Sequence, residues 1–138
     1  MADFTASTGI RDIIATHLAA CYYWITLHDD TGGLVAADTY SAGVRGELAT
    51  EFGYTRGTKT LSLSNTAGVL DGADAVWTAD SGSIGPASYS AVWASATNSI
   101  TGAVLISVDD KSADPQTATD GQTMTSGVAD PITIPTPS

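Results

Sequence analysis

Two histidines, one cysteine and two pairs of adjacent aspartates are the side chains that could support catalysis in this 138-residue chain. Any Ser–His–Asp triad would need His17 or His28 as its base, and no Gly-x-Ser-x-Gly nucleophile motif is present. His17 falls at the predicted end of a helix, and Cys21 opens an apolar stretch, where a small buried thiol is the expected state. These residues therefore indicate packing rather than nucleophilic catalysis.

The aspartate pairs, Asp29-Asp30 and Asp109-Asp110, each stand at the predicted end of a strand. A carboxylate pair could serve glycoside hydrolysis or bind a calcium ion. Neighbouring side chains point to opposite sides of an extended backbone, so neither pair is predicted to converge, and turn formation is the favoured interpretation. A single cysteine also excludes a multi-cysteine zinc site. We therefore expect a protein without enzymatic activity, bound metal or cofactor.

The charge of the chain limits its partners. Five lysines and arginines stand against fifteen aspartates and glutamates, which gives a formal net charge of -10. Nucleic-acid binding needs clustered cations, so we expect no nucleic-acid partner. The longest apolar run, between His17 and His28, is about half of the roughly 20 residues that a membrane helix needs, so no membrane span is predicted. Charged residues make up only 14% of the chain, and a surface of small hydroxyl and apolar side chains often faces other proteins.

The elements that would position these residues begin with one amphipathic helix. Ile10, Ile13, Ile14 and Leu18 recur at helical spacing and share one face. We expect residues 1–20 to contain this helix and its apolar face to pack on a sheet or on a neighbouring subunit.

From residue 21 onward the hydrophobic pattern has the period of β-strands. Strands are predicted at 22–28, 58–64, 73–78, 88–96 and 101–108. Most aromatic residues fall at core-facing positions, whereas Tyr22 and Trp24 are candidates for the outer surface. The run 101–108 is apolar on both faces, which predicts a central strand.

The carboxyl-terminal residues contain three prolines, at 131, 135 and 137. Because proline cannot donate to a sheet ladder, Ile132 and Ile134 are restricted to an edge strand or an extended arm. The predicted fold is mainly β: an antiparallel, jelly-roll-like β-sandwich over residues 21–126, with one short amino-terminal helix and a proline-rich arm over 127–138.

Several short segments carry a resemblance to a known group of proteins. They are the strand 22–28 with its acidic glycine turn, Gly46-Glu47, the segment 53–61 (GYTRGTKTL), Ala75-Val76-Trp77 and the apolar run 100–109. Over roughly residues 1–110 the chain resembles small virion structural proteins of tailed bacteriophages, which include capsid decoration (cement) proteins and head- or tail-fibre proteins. The resemblance implies a β-sandwich on the outer surface of the capsid that binds the major capsid protein, often as a trimer or another homo-oligomer, and stabilises the shell.

Two kinds of role are consistent with this resemblance. The first is a non-enzymatic decoration protein, and the alternative is a fibre or adhesin module that recognises a host-surface glycan through outward aromatic residues and loop carboxylates. The residues predicted to form assembly contacts are apolar or aromatic: Ile10, Ile13, Ile14, Leu18, Tyr22, Trp24, Ile132 and Ile134.

Overall fold

A computed structural model of the chain describes residues 17–30, 33–66, 69–128 and 132–133. Within these residues the chain is mainly β, and every strand pairing is antiparallel, as predicted. The strands, in chain order, are β1 (Tyr22–His28), β2 (Thr60–Leu61), β3 (Ser64–Thr66), β4 (Val69–Asp71), β5 (Ala75–Thr78), β6 (Ile84–Ala87), β7 (Tyr89–Ser95), β8 (Val104–Asp110), β9 (Gln116–Ala118), β10 (Thr123–Ser126) and β11 (Ile132–Thr133). One 3-10 turn (Val44–Gly46) follows β1.

The central sheet has the strand order β2-β1-β7-β8. β1 and β7 pair along their full length, from Tyr22 opposite Ser95 to His28 opposite Tyr89. Aromatic and β-branched residues dominate β1, and small serine and alanine side chains alternate with larger ones in β7, which suits a pleated surface covered on both faces. Every residue of β1 after Tyr22 is buried, because a separate hydrophobic cluster covers each face of the sheet.

The main core lies between one face of this sheet and two smaller sheets, β10-β5 and β6-β9. Tyr23, Ile25 and Leu27 of β1 face Trp77 of β5 and Met124 of β10 in one cluster. β5 shows the predicted alternation, with its first and third residues buried and its second and fourth exposed. This two-layer packing is the predicted β-sandwich.

A second, smaller cluster covers the opposite face of the sheet. It joins Trp24 of β1 and Trp93 of β7 to Tyr40, which lies in the connection between β1 and β2. The Tyr40 and Trp93 rings meet edge to face, with centroids 5.5 Å apart. Trp24 is therefore 5% exposed, and its predicted place on the outer surface is wrong, because this connection folds back over it.

β8 is an edge strand, so the prediction of a central strand is wrong. It pairs with β7 on one side, and among the described residues the other side carries a single bridge, between Thr39 and Val104. Val104, Ile106 and Val108 are 51%, 37% and 39% exposed. A run of apolar residues reports local hydrophobicity but not how many neighbours a strand has. Here the backbone of the neighbouring chain segment pairs only with the beginning of β8.

The predicted strand over 58–64 divides into two. Only Thr60–Leu61 pairs with β1, as β2, and Ser64–Thr66 leaves the central sheet to pair with β4 as β3. Leu61 and Leu63 are nevertheless buried, as their alternation predicted.

The two ends of the chain are described in part. Residues 17–19 are helical, but Ile10, Ile13 and Ile14 lie outside the described residues. Ile132–Thr133 forms an edge strand, β11, beside β4, which is one of the two placements predicted for Ile132, whereas Ile134 lies outside the described residues. Among the residues described, no helix is long and apolar enough to cross a membrane.

Candidate functional site

A buried carboxylate, Glu47, organises the connection that covers the central sheet. One carboxylate oxygen, Oε2, accepts hydrogen bonds from the Tyr40 hydroxyl at 2.8 Å and the Gly43 amide at 3.0 Å. The other, Oε1, accepts from the Tyr54 hydroxyl at 2.9 Å and the Gly57 amide at 3.1 Å. Two donors on each oxygen match the acceptor capacity of a carboxylate. Glu47 is 3% exposed, so this carboxylate ties the stretch 40–43 to the stretch 54–57 and offers no free oxygen to a substrate.

Arg56 and Gly57 hold the backbone close to this carboxylate. The Arg56 guanidinium donates from Nη2 to the Glu47 carbonyl and from Nε to the Leu48 carbonyl, both at 2.9 Å. Gly57 has a φ of +65°, and a Cβ at this position would stand 2.6 Å from the Tyr40 hydroxyl oxygen. The close approach of backbone to hydroxyl therefore requires glycine.

Burial beside this carboxylate perturbs two tyrosines. Desolvation raises the pKa of Tyr40 above its usual value, and its hydrogen bond to Glu47 adds to the shift. Desolvation also raises the pKa of Tyr54, followed by repulsion from the Glu47 charge. Both hydroxyls are held as protonated donors, which is a structural role and not that of a base.

A second series of buried hydrogen bonds links β7 to β1 in the central sheet. Trp93 Nε1 donates to the Thr26 hydroxyl at 2.7 Å, and that hydroxyl lies 2.7 Å from His28 Nε2. His28 Nδ1 lies 3.2 Å from the Arg45 carbonyl. A carbonyl can only accept, so Nδ1 carries the proton and Nε2 accepts from Thr26. His28 is fully buried, and desolvation lowers its pKa. This histidine is therefore a neutral packing residue.

The exposed side of β8 borders an apolar groove. A groove of about 180 Å³ lies between β8 and the connection after β1, lined by Leu34, Ala36, Leu105, Ile106, Ser107 and Val108. Five of these six side chains are apolar. We call this feature, the free edge of β8 with its groove, the β8 edge.

Acidic groups flank the β8 edge. Asp109 lies 3.4 Å from the Lys111 ammonium, and Asp110 accepts from the Ser112 amide at 2.9 Å and from its hydroxyl at 2.6 Å. The side-chain hydrogen bond from Ser112 is the main cause that lowers the pKa of Asp110. Asp110 thus forms the turn that was predicted for the second aspartate pair.

The remaining predicted site residues are scattered. Tyr22 is 45% exposed, and its ring stacks against that of Trp24 with centroids 6.4 Å apart. Leu18 is half-buried. Cys21 is only partly buried rather than enclosed as predicted, and its thiol contacts the His17 carbonyl at 3.6 Å. Among Leu18, Cys21, Tyr22 and Trp24, only Tyr22 places an exposed aromatic ring at the surface.

Glu47 and the β8 edge were not found from the sequence. Glu47 stands in a segment without clear periodicity, and its donors are separated from it by four to ten residues in a non-repetitive path. Within the described ranges, no three His, Cys, Asp or Glu side chains come together in a way that could hold a metal ion. Every buried side-chain nitrogen or oxygen there has a hydrogen-bond partner.

Comparison of the chain with protein families, with characterised proteins and with solved structures finds no significant match.

Proposed function

We propose that this chain is a structural protein of a tailed-phage virion, a capsid decoration protein that binds the outer shell and stabilises it without catalysing a reaction. The observation that carries the proposal is the β8 edge. An edge strand with exposed apolar side chains is a site for pairing with another chain, and monomeric proteins usually protect such edges with charge, proline or a covering loop. Here Val104, Ile106 and Val108 stay exposed along the strand.

The polar interior supports the same role. The groups with the chemistry of catalysts, Glu47, His28 and the buried tyrosines, are used in hydrogen bonds to each other and to the backbone. Such satisfied networks make a small fold rigid and specific. A rigid fold whose edge strand can pair with another chain is suited to holding neighbouring subunits together.

The proposed partners are the major capsid protein and further copies of the chain, as a trimer or another homo-oligomer. The formal charge of -10 would favour basic patches on the outside of a shell and disfavour contact with packaged DNA. The proposed location is therefore the outer capsid surface.

The test is the abundance of the chain in virions of the virus that encodes it. Quantitative mass spectrometry of purified particles should find hundreds of copies per virion, because a decoration protein follows the symmetry of the shell. Absence from the particles contradicts the proposal.

Tyr22 favours a second candidate, a fibre or adhesin module that binds a host-surface glycan. Tyr22 has an exposed ring and stands opposite Ser95 in the pairing of β1 with β7. The Ser95 hydroxyl lies 3.2 Å from that of Thr97, and an exposed aromatic ring on a strand with hydroxyl side chains is a surface on which a sugar can stack. In this case virions contain few copies, and Tyr22→Ala abolishes binding on a glycan array while Val76→Ala, at another exposed position, does not.

A further inference from the structure

We propose that the β8 edge receives an extended, basic segment of the partner protein, which adds to the central sheet as a fifth strand antiparallel to β8. This inference rests on the proposed docking role of β8 and names the chemistry of its occupant. The antiparallel direction follows the rest of the sheet, in which every pairing is antiparallel.

The backbone of β8 offers the length that strand addition needs. Leu105 donates to the Asp38 carbonyl at 3.3 Å, and Val104 bridges Thr39, so the beginning of the strand is already occupied. Residues 106–110 follow without a second neighbouring strand in the described part of the chain. Five residues span about 17 Å at the rise of an antiparallel strand, which is the length of an ordinary strand.

The groove selects the side chains of the occupant. In an added strand, alternate side chains point to the same face of the sheet. Those on one face would enter the groove against Leu34, Leu105 and Val108. Alternating apolar residues are therefore expected in the bound segment, as in other complexes formed by strand addition.

Charge identifies the occupant as basic. β8 ends in Asp109 and Asp110, with Asp114 shortly after them and Lys111 as the nearby cation. The amino end of an antiparallel partner strand would lie beside these carboxylates, where lysine or arginine is favoured. A second copy of this chain has only five lysines and arginines against fifteen aspartates and glutamates, so it fits this acidic end of β8 poorly. The proposed homo-oligomer would use other surfaces.

The experiment uses the intact chain and a synthetic peptide as the probe. In the peptide, valine and serine alternate over about seven residues, and two lysines precede them. A matched peptide carries two glutamates instead. We expect the lysine peptide to bind at least about tenfold more tightly than the glutamate peptide by fluorescence anisotropy at low salt, and we expect added salt to reduce this difference.

Two protein variants locate the binding. Val108→Asp, in the groove, should weaken binding of the lysine peptide about tenfold or more. Val76→Asp makes the same change at a residue that is 47% exposed on β5 and should leave binding unchanged. Hydrogen exchange should show new protection of those amides within residues 106–110 that point away from β7 when the peptide is bound.

Three results overturn the inference. They are failure of the lysine peptide to bind, equal binding of the two peptides, and a dimer of the intact chain in sedimentation that Val108→Asp dissociates, since the last assigns the β8 edge to a second copy. Peptide binding with no copies in virions would refute the shell role alone. Copies in virions without peptide binding would refute this inference alone.

Discussion

Replacement of Glu47 by glutamine tests whether the buried carboxylate holds the fold together. The change keeps the size of the side chain and exchanges one oxygen for an NH₂ group. Each oxygen of Glu47 accepts one hydroxyl and one backbone amide. Whichever way the glutamine amide turns, its NH₂ group meets the amide of Gly43 or Gly57, and that N–H loses its acceptor.

The magnitude follows from these contacts. A fully buried N–H without a partner costs about 1–3 kcal/mol, and the lower half of this range applies because the Gly43 and Gly57 amides are partly buried. The two hydrogen bonds to the remaining oxygen lose the assistance of a charge, which roughly halves their strength. Together these effects predict a loss of about 2–4 kcal/mol in the free energy of unfolding, a large part of the roughly 5–15 kcal/mol of an ordinary domain.

Urea denaturation followed by tryptophan fluorescence measures this loss. Glu51→Gln is the matched control, because Glu51 is exposed and undergoes the same chemical change, so we expect a loss below about 0.5 kcal/mol. In a double-mutant cycle, Tyr40→Phe should cost less in the Glu47→Gln background than in the native chain. Equal stabilities of Glu47→Gln and Glu51→Gln would refute the assignment of Glu47 as the centre of the cluster.

Three further predictions concern backbone strain and pH. Gly57→Ala should destabilise the fold more than Gly102→Ala in urea: both glycines have positive φ, but a Cβ at 57 would meet a buried tyrosine hydroxyl at 2.6 Å, whereas a Cβ at 102 meets nothing within 4 Å. Equal losses in the free energy of unfolding for the two variants would show that the structure relieves the clash at residue 57 without losing stability. The pKa of His28 is lowered in the folded chain, so the unfolded chain binds the proton more readily, and stability should fall as the pH falls below about 6.5. The slope, measured by urea titrations, should flatten in His28→Gln and persist in His17→Gln; an unchanged slope in His28→Gln contradicts the assignment. Burial raises the pKa of Tyr23 to about 12, so the folded chain keeps a proton that the unfolded chain loses above about 10, and stability should decline between these pH values. Tyr23→Phe should reduce that decline, and an equal decline in both proteins would be evidence against it.

Short-range periodicity was sufficient to predict the three seven-residue strands, β1, β7 and β8, but not their neighbours. In β5 the alternation of residue types identified Ala75 and Trp77 as core residues. In a strand with one buried face, every second side chain points to the core, so the sequence pattern alone is enough. The same rule failed for β8, since the number of strands beside it depends on where residues 34–40 cross the sheet. Trp24 failed for the same reason, because a covering loop has no periodic signal.

The candidate site was harder to predict than the fold. Glutamate is seldom fully buried unless it is paired, so the residue type gave no reason to expect Glu47 in the interior. Its partners are two tyrosine hydroxyls and two glycine amides in irregular backbone, and no pattern in the sequence marks a residue as a donor to a particular carboxylate. Sequence reasoning therefore found the acidic character of the chain without finding the one acid that organises it.

The Glu47 cluster and the β8 edge are physically connected through Tyr40. The Tyr40 hydroxyl donates to Glu47, while its amide donates to the Ala103 carbonyl and its carbonyl accepts from Gly102, each at 2.9 Å, just before β8 begins. The same connection supplies Leu34 and Ala36 to the wall of the groove. Because a groove binds an extended segment well only when its wall is already in place, the buried carboxylate would lower the entropic cost of the proposed docking at β8. Under that proposal, Glu47 would contribute to assembly by holding the wall of the groove in place.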